Sequence, residues 1–229
     1  MGAWRRVVRD WFTRFRPRRA RLALVLAALG LLAGTAPAPA SEPPVLSVQM
    51  RDGAAELLLR WRRPVAAAAF MRAGRLWLLF DHPATAPPAP AALAGTPFAS
   101  LRPERHPALL VLSMEQVGEP VSLTRRRSTW RLVLGGAAPP PTGVLAVDAA
   151  SGDLRIAGAA RLTELDDPVV GDRLGVALLV DAPHGEPAGR HWPWVEILPS
   201  LQGVAWRLHA DGVQPRLTGS LVELPAPSL

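Results

Sequence analysis

The stretch LLLRWRRPVAAAAFMRAGRLWLLF, residues 57–80, reads as strands joined by tight turns. Extended upstream to AAELLLRW, it alternates: Ala55, Leu57, Leu59 and Trp61 point one way, Glu56, Leu58 and Arg60 the other. A period of two is the signature of a β-strand, whose successive side chains leave opposite faces. RLWLLF (75–80) is apolar on both faces, as in a strand covered on both sides. Between it and VAAAAF stand Met71, Arg72, Ala73 and Gly74, and Gly74 suits a hairpin turn because glycine takes positive φ at no steric cost.

The same pattern recurs downstream. STWRLVL (128–134) predicts Trp130, Leu132 and Leu134 inside, with Thr129 and Arg131 outside. VAWRLHADGVQPRL (204–217) predicts another hairpin, with Val204, Trp206 and Leu208 facing the core and the turn at Asp211-Gly212. Further strands are expected at 45–50, 109–117, 120–124, 144–148, 153–157, 174–181, 194–198 and 217–224. No long 3.6-period segment follows residue 41. The expected fold class is all-β: antiparallel hairpins forming one or two sandwich-like β units, preceded by a helical N-terminal signal segment.

A faint internal repeat relates residues 57–80 to LLVLSMEQVGEPVSLTRRRSTWRLVL (109–134). Each has an apolar strand, a Pro-Val step, a second strand, an arginine-containing turn and a tryptophan strand, matching Pro64 to Pro120 and Trp77 to Trp130. A β repeat is one reading, and generic antiparallel hairpins are the other. The expected organisation is a leader at 1–40, a first β unit at 41–134 with a Pro/Ala-rich excursion at 82–108, a Gly/Pro linker at 135–143, and a second β unit at 144–229.

The leader combines a basic run, a short apolar run and small residues, in the order of a secretory signal. Its apolar run LALVLAALGLLAG (22–34) spans about 20 Å, against about 30 Å of membrane hydrocarbon. Ala38 and Ala40 occupy the small-residue positions before a cut, so cleavage is expected after Ala40, with Ser41 as the new N-terminus. Flanking arginines stay cytoplasmic and the body is exported, to the periplasm. The alternative is an uncleaved leader acting as a single inner-membrane anchor with the body in the periplasm. Arg18-Arg19 lacks the neighbouring residues of a twin-arginine signal. The chain has no cysteine, which excludes a lipoprotein anchor, disulfides and thiolate metal sites.

Charge sharpens the exclusions. Residues 1–21 hold eight arginines and Asp10, which accounts for the whole net charge of +7. The remaining 18 arginines and 18 acids cancel, so overall charge gives the body no case for binding nucleic acid. All 26 basic residues are arginine, and lysine and asparagine are absent, the imprint of a GC-rich bacterial genome.

LLLRWRRPVAAAAFMRAGRLWLLFD resembles the small AMIN-type β-domains at the N-termini of exported cell-wall amidases and pilus secretins. It also resembles the N-terminal β regions of large envelope proteins carrying tetratricopeptide repeats, a likeness that extends over DDPVVGDRLGVALLV (166–180). The matching features are a hydrophobic strand, a proline-containing turn and the R-L-W-L-L-F-D strand. The resemblance implies a periplasmic targeting or scaffolding module near peptidoglycan. The chain ends at Leu229 with neither an amidase domain nor helical repeats, so under this kinship it is a free-standing head or a truncated relative.

Catalytic signatures are missing from the body: no G-x-S-x-G elbow, P-loop, Rossmann glycine pattern or H-E-x-x-H. His184, Glu186 and His191 around the loop GEPAGR form the one local cluster with metal-ligand chemistry, although loop histidines beside prolines are ordinary turn residues. Asp166, Asp167 and Asp172 are close carboxylates in turn-like sequence. Trp61, Trp130 and Trp206 share their strand faces with leucine and valine and are expected in the core. Trp192 and Trp194, around Pro193, fall on one face if extended and are the best candidate contact surface. Arg125, Arg126 and Arg127 form a turn, either a solvated tip or a contact for an anionic polymer or phospholipid. No cofactor, metal or catalytic residue is assigned. The expected function is a non-enzymatic envelope module binding a protein or peptidoglycan; the alternative is an exported hydrolase with a dispersed active site.

Overall fold

The computed structural model describes residues 42–83, 93–115, 121–135, 140–167 and 169–227. The leader, with Ala38, Ala40 and Ser41, lies outside the described residues. Residues Ser41–Leu229 form one compact unit, all-β and antiparallel throughout its named strand pairs.

The chain starts with β1 (Val45–Arg51) and β2 (Ala54–Arg60), then β3 (Ala67–Arg72) and β4 (Arg75–Phe80). Both hairpins turn over two residues, Asp52-Gly53 and Ala73-Gly74, all four with positive φ. That geometry matches the twist of the flanking strands. After β5 (Arg102–Glu104) come β6 (Leu110–Glu115), β7 (Val121–Arg126) and β8 (Thr129–Leu134).

The two repeat-like segments exchange strands. β2 pairs with β8 of the downstream hairpin, and β6 pairs with β4 of the upstream one. The result is a four-stranded sheet, β1-β2-β8-β7, and a second sheet carrying β3-β4-β6-β5. Leu57, Leu59 and Trp61 of the first pack against Ala67, Ala69, Leu78, Phe80 and Leu112 of the second in one apolar cluster. Trp130 lies in this cluster, whereas Trp77 lies in another on the opposite face of its sheet. The tryptophans matched in the repeat are therefore not equivalent in environment.

On the outer face of the first sheet, Glu56 is buried and held by Arg131, with Nε donating to Oε2 at 2.9 Å. That hydrogen bond holds the Glu56 carboxyl below its ordinary value and raises the Arg131 guanidinium.

The rest of the chain builds onto the second sheet and adds a third. β9 (Leu145–Val147) and β10 (Leu154–Ala157) precede the long hairpin β11 (Ala159–Asp166) and β12 (Arg173–Leu179). Then come β13 (Arg190–Trp192), β14 (Val195–Ile197), β15 (Ser200–Gln202), β16 (Val204–Leu208), β17 (Arg216–Thr218) and β18 (Leu221–Leu224). Strands from both sides of residues 135–143 join one ten-stranded sheet, in the order β13-β14-β16-β12-β3-β4-β6-β5, with β11 on β12 and β15 on β3. β12 is buried on both faces: Leu174, Val176 and Leu178 enter the cluster of Phe70, Trp77 and Ala205. Ala177 and Leu179 pack with Trp206, Leu154, Ile156 and Val222, which links this sheet to the third, β17-β18-β10-β9.

The hairpin expected across 204–217 does not form. Asp211-Gly212 turns the chain, but β17 pairs with β18 and not with β16. Pro215 explains the divergence, since it has no N–H to offer a continuing ladder.

Candidate functional site

The candidate residues of the sequence fall in three places. Trp192 closes β13, and Trp194 sits in the turn before β14, where Trp192 pairs with Val195. Both rings are half-buried against the third apolar cluster, so they are anchored and not freely displayed. The Trp194 carbonyl accepts the His209 N–H at 2.8 Å, and the His191 and His209 rings lie 5.6 Å apart.

At the β7–β8 tip, Arg125 lies 5.9 Å over the Trp130 ring and 3.4 Å from Asp181. Only Arg126 and Arg127 are exposed there, with Arg127 at φ 56°.

His184, Glu186 and His191 do not assemble as ligands. Glu186 is buried; its Oε1 accepts the N–H groups of Val144 and Leu145 at 2.9 Å each, and Oε2 lies 3.3 Å from Arg190. Its carboxylate therefore ties the 182–190 loop to the start of β9. Ser200 and Gln202 complete this lock: Ser200 Oγ accepts the Glu186 N–H at 2.8 Å, and Gln202 Nε2 donates to the carbonyls of Leu179 and Asp181. Sequence reading missed both, and the available signal was two polar side chains inside the apolar run ILPSLQGVAW. Among the described residues no group of three or more histidines or acids is placed to hold a metal ion.

A concavity of ligand size lies elsewhere. β12 and β16 pair through Ala177↔Val204, Val176↔Ala205 and Gly175↔Trp206, and there the ladder stops. Beyond it the strands part, β12 staying with β11 and β16 with β14. A cleft of about 520 Å³ lies across this end of the sheet, lined by Leu162, Thr163 and Glu164 of β11, Asp172, Arg173 and Gly175 at β12, Trp206, Arg207 and Leu208 of β16, and the loop that follows β16. Its volume lies in the range of small-ligand sites, about 300–1,000 Å³.

Gly175 makes the floor possible. A Cβ there would stand 2.3 Å from Cε2 and Nε1 of Trp206, so the indole lies directly across the glycine. Trp206 is 1% exposed and its Nε1 has no partner. An unpaired buried N–H costs about 1–3 kcal/mol, which the surrounding packing offsets.

Behind the cleft five charged side chains close one end of the second apolar cluster. Arg72, on β3, contacts Asp172, Asp167 at 3.6 Å and Glu196 at 3.9 Å. Arg207 contacts Glu196 at 3.2 Å and Asp172 at 3.5 Å. Asp167 Oδ1 also accepts the N–H groups of Val169 and Val170 at 2.8 and 3.2 Å, which rigidifies the β11–β12 turn. Asp166, Asp167 and Asp172 thus do ordinary turn and ion-pair work, with Asp172 alone of the three lining the cleft. Asp172 and Glu186 belong to separate networks, and neither His184 nor Glu186 lines the cleft.

Comparison with known proteins finds no matching family model, no matching curated protein and no matching solved structure.

Proposed function

We propose that this chain is an exported β-module of the bacterial cell envelope that binds peptidoglycan or an envelope protein and carries out no catalytic turnover. The leader supports export to the periplasm with cleavage after Ala40, and the all-β body serves as scaffold. The observation that carries the reading is the cleft that lies across the ends of β11, β12 and β16. It has the volume of a ligand site, a tryptophan floor and fixed charges on its walls. Its lining carries Glu164, Asp172 and Asp211, and its arginines are engaged with acids. A concave surface with an aromatic floor and charged walls supports recognition. The Trp192–Trp194 turn adjoins the cleft loop through the Trp194 carbonyl, which also accepts the Ala210 N–H at 3.4 Å.

Co-sedimentation of the full-length protein with purified sacculi, alongside crosslinking in intact envelopes, tests the reading. Retention by sacculi or a specific envelope crosslink is expected. A folded protein that stays in the supernatant and crosslinks to nothing defeats it. N-terminal sequencing of the envelope protein is expected to begin at Ser41, and Met1 there would restore the anchored alternative.

A further inference from the structure

We propose that the end of the first sheet where β2 and β7 finish and β8 begins is a docking surface for an anionic phospholipid bilayer. This surface is separate from the cleft, and the export reading enters only as the reason such a bilayer is within reach.

Strand register assembles the surface. Arg60 of β2 faces Thr129 of β8, and Thr129 faces Arg126 of β7, so the two arginines share one cross-strand row. Leu59 and Trp130, one residue along, enter the core, and alternation therefore turns the Arg60–Arg126 row outward. Two strand spacings put the two backbones about 10 Å apart. Arg127 follows in the β7–β8 turn. Arg62 and Arg63 come directly after Trp61, whose N–H donates to the Ser128 carbonyl of that turn at 2.9 Å. All five arginines are exposed. Val45 of β1, paired with Arg60, ends the row and is 65% exposed.

Charge sets the class of ligand. From residue 41 onward the chain balances 18 arginines with 18 acids, yet here five arginines meet one acid, Glu42, which pairs with Arg62. Glu56, the one acid within the four strands of this sheet, is buried and held by Arg131. Asp181 is paired with Arg125. The side chains of Arg60, Arg63, Arg126 and Arg127 have no ion-pair partner among the described residues. Four uncompensated guanidiniums therefore face solvent at one end of an otherwise neutral body. A guanidinium fork matches the oxygens of a phosphate.

Layout and chain length select the bilayer. Exposed arginines set out along a sheet end and its turn suit an array of separate phosphates, which the headgroups of anionic lipids supply. Val45 beside them offers an apolar contact at the same surface. The leader's apolar run ends at Gly34, and only the seven residues Thr35 to Ser41 precede Glu42, a member of this patch. That length of chain spans no more than about 30 Å. While the apolar run is in the membrane during export, the arginine end is thus tethered within reach of the headgroups. After cleavage the same contact gives the released chain a reversible hold on the bilayer.

Vesicle flotation of the mature chain, Ser41–Leu229, provides the test; this segment is one compact unit holding every named strand. Phosphatidylcholine vesicles containing phosphatidylglycerol should carry the protein, and vesicles of phosphatidylcholine alone should not. Replacing Arg60, Arg63, Arg126 and Arg127 together by serine should weaken vesicle binding about fiftyfold or more, at roughly three- to fivefold per arginine. The milder Arg126→Ser/Arg127→Ser, confined to the strand end and turn, should weaken it about tenfold and keeps the test valid if the fourfold variant misfolds. Arg216→Ser, on the third sheet, should bind as the wild type does. Raised salt should release the bound protein. No binding to the anionic vesicles, or equal binding by the wild type and the arginine variants, overturns the inference. Retention on sacculi that the arginine variants lose, with vesicles ignored, assigns this end to a wall polymer and also overturns it. If vesicle binding fails while sacculi retain every variant, this inference falls alone and the binding reading stands.

Discussion

Two buried tryptophans mark opposite uses of the same scaffold. Trp130 and Trp206 are each essentially inaccessible and each occupies an inner strand beside a cross-strand partner. Trp130 sits under a closed layer of leucines, and its N–H donates to the Val65 carbonyl at 3.1 Å. Trp206 sits where two strands part, across a glycine, with its N–H unmatched and carboxylates nearby. Trp130 itself is completed in packing and in polar pairing, although Trp61 of the same cluster keeps an indole N–H without a partner. The second is completed in packing but not in polar pairing.

The contrast can be broken, most strongly at its first member. Trp130→Ala should cost about 3–5 kcal/mol in a urea denaturation series, because it empties the first core. A loss under 1 kcal/mol would mean that this layer is not the folding core. Gly175→Ala is next. Its methyl must displace the Trp206 ring, with an expected cost of about 1–3 kcal/mol and a change in tryptophan fluorescence. Unaltered stability and emission would show that the indole does not lie across the glycine.

A third test asks whether the first sheet's buried ion pair works as drawn. Arg131→Met should destabilise by about 1–3 kcal/mol at neutral pH, because it strands Glu56. The sign with pH is set by Glu56, whose folded value lies below its ordinary 4.5. The stabilisation is present above 4.5 and is lost as pH falls through the folded value, so wild type and variant should converge in acid. A constant difference down to strongly acid pH would assign the cost to packing alone. The smallest effect is expected at the β7–β8 tip. Arg127→Gly should be neutral or stabilising by up to about 1 kcal/mol, because residue 127 holds a positive φ of 56°. A clear loss would show that this arginine side chain does structural work.

The scaffold was legible because strands announce themselves by alternation. Ala55, Leu57, Leu59 and Trp61, and likewise Trp130, Leu132 and Leu134, reached the core faces that their spacing indicates. Partner choice was not legible. Nothing in residues 204–217 says that the strand after Gly212 turns to β18, and only Pro215 hints at it. β11 went unread because GAARLTELDD mixes small, apolar and charged residues without a clean period. The cleft was hidden for a different reason. Its walls come from three segments far apart in sequence, Leu162 to Glu164, Asp172, Arg173 and Gly175, and Trp206 to Leu208 with the loop after them, brought together by strand pairing and by where the β12–β16 ladder ends. Ladder ends depend on sheet twist and neighbouring pairs, which no local motif encodes. Trp192 and Trp194 are half-buried against the third apolar cluster, a contact to a distant strand that their local spacing does not encode.

The exchange of strands between the two repeat-like segments has a kinetic consequence. β2 is made early, yet the strand that satisfies its edge begins only at Thr129; β4 likewise waits for Leu110. Neither three-stranded arrangement can close from its own segment, so as the chain emerges a sticky, leucine-rich edge stays open until both segments are present. Such long-range closure is slow and invites pairing with a neighbouring copy. Until residue 134 has emerged, the unfinished chain therefore carries two open strand edges, at β2 and β4, that its finished form does not.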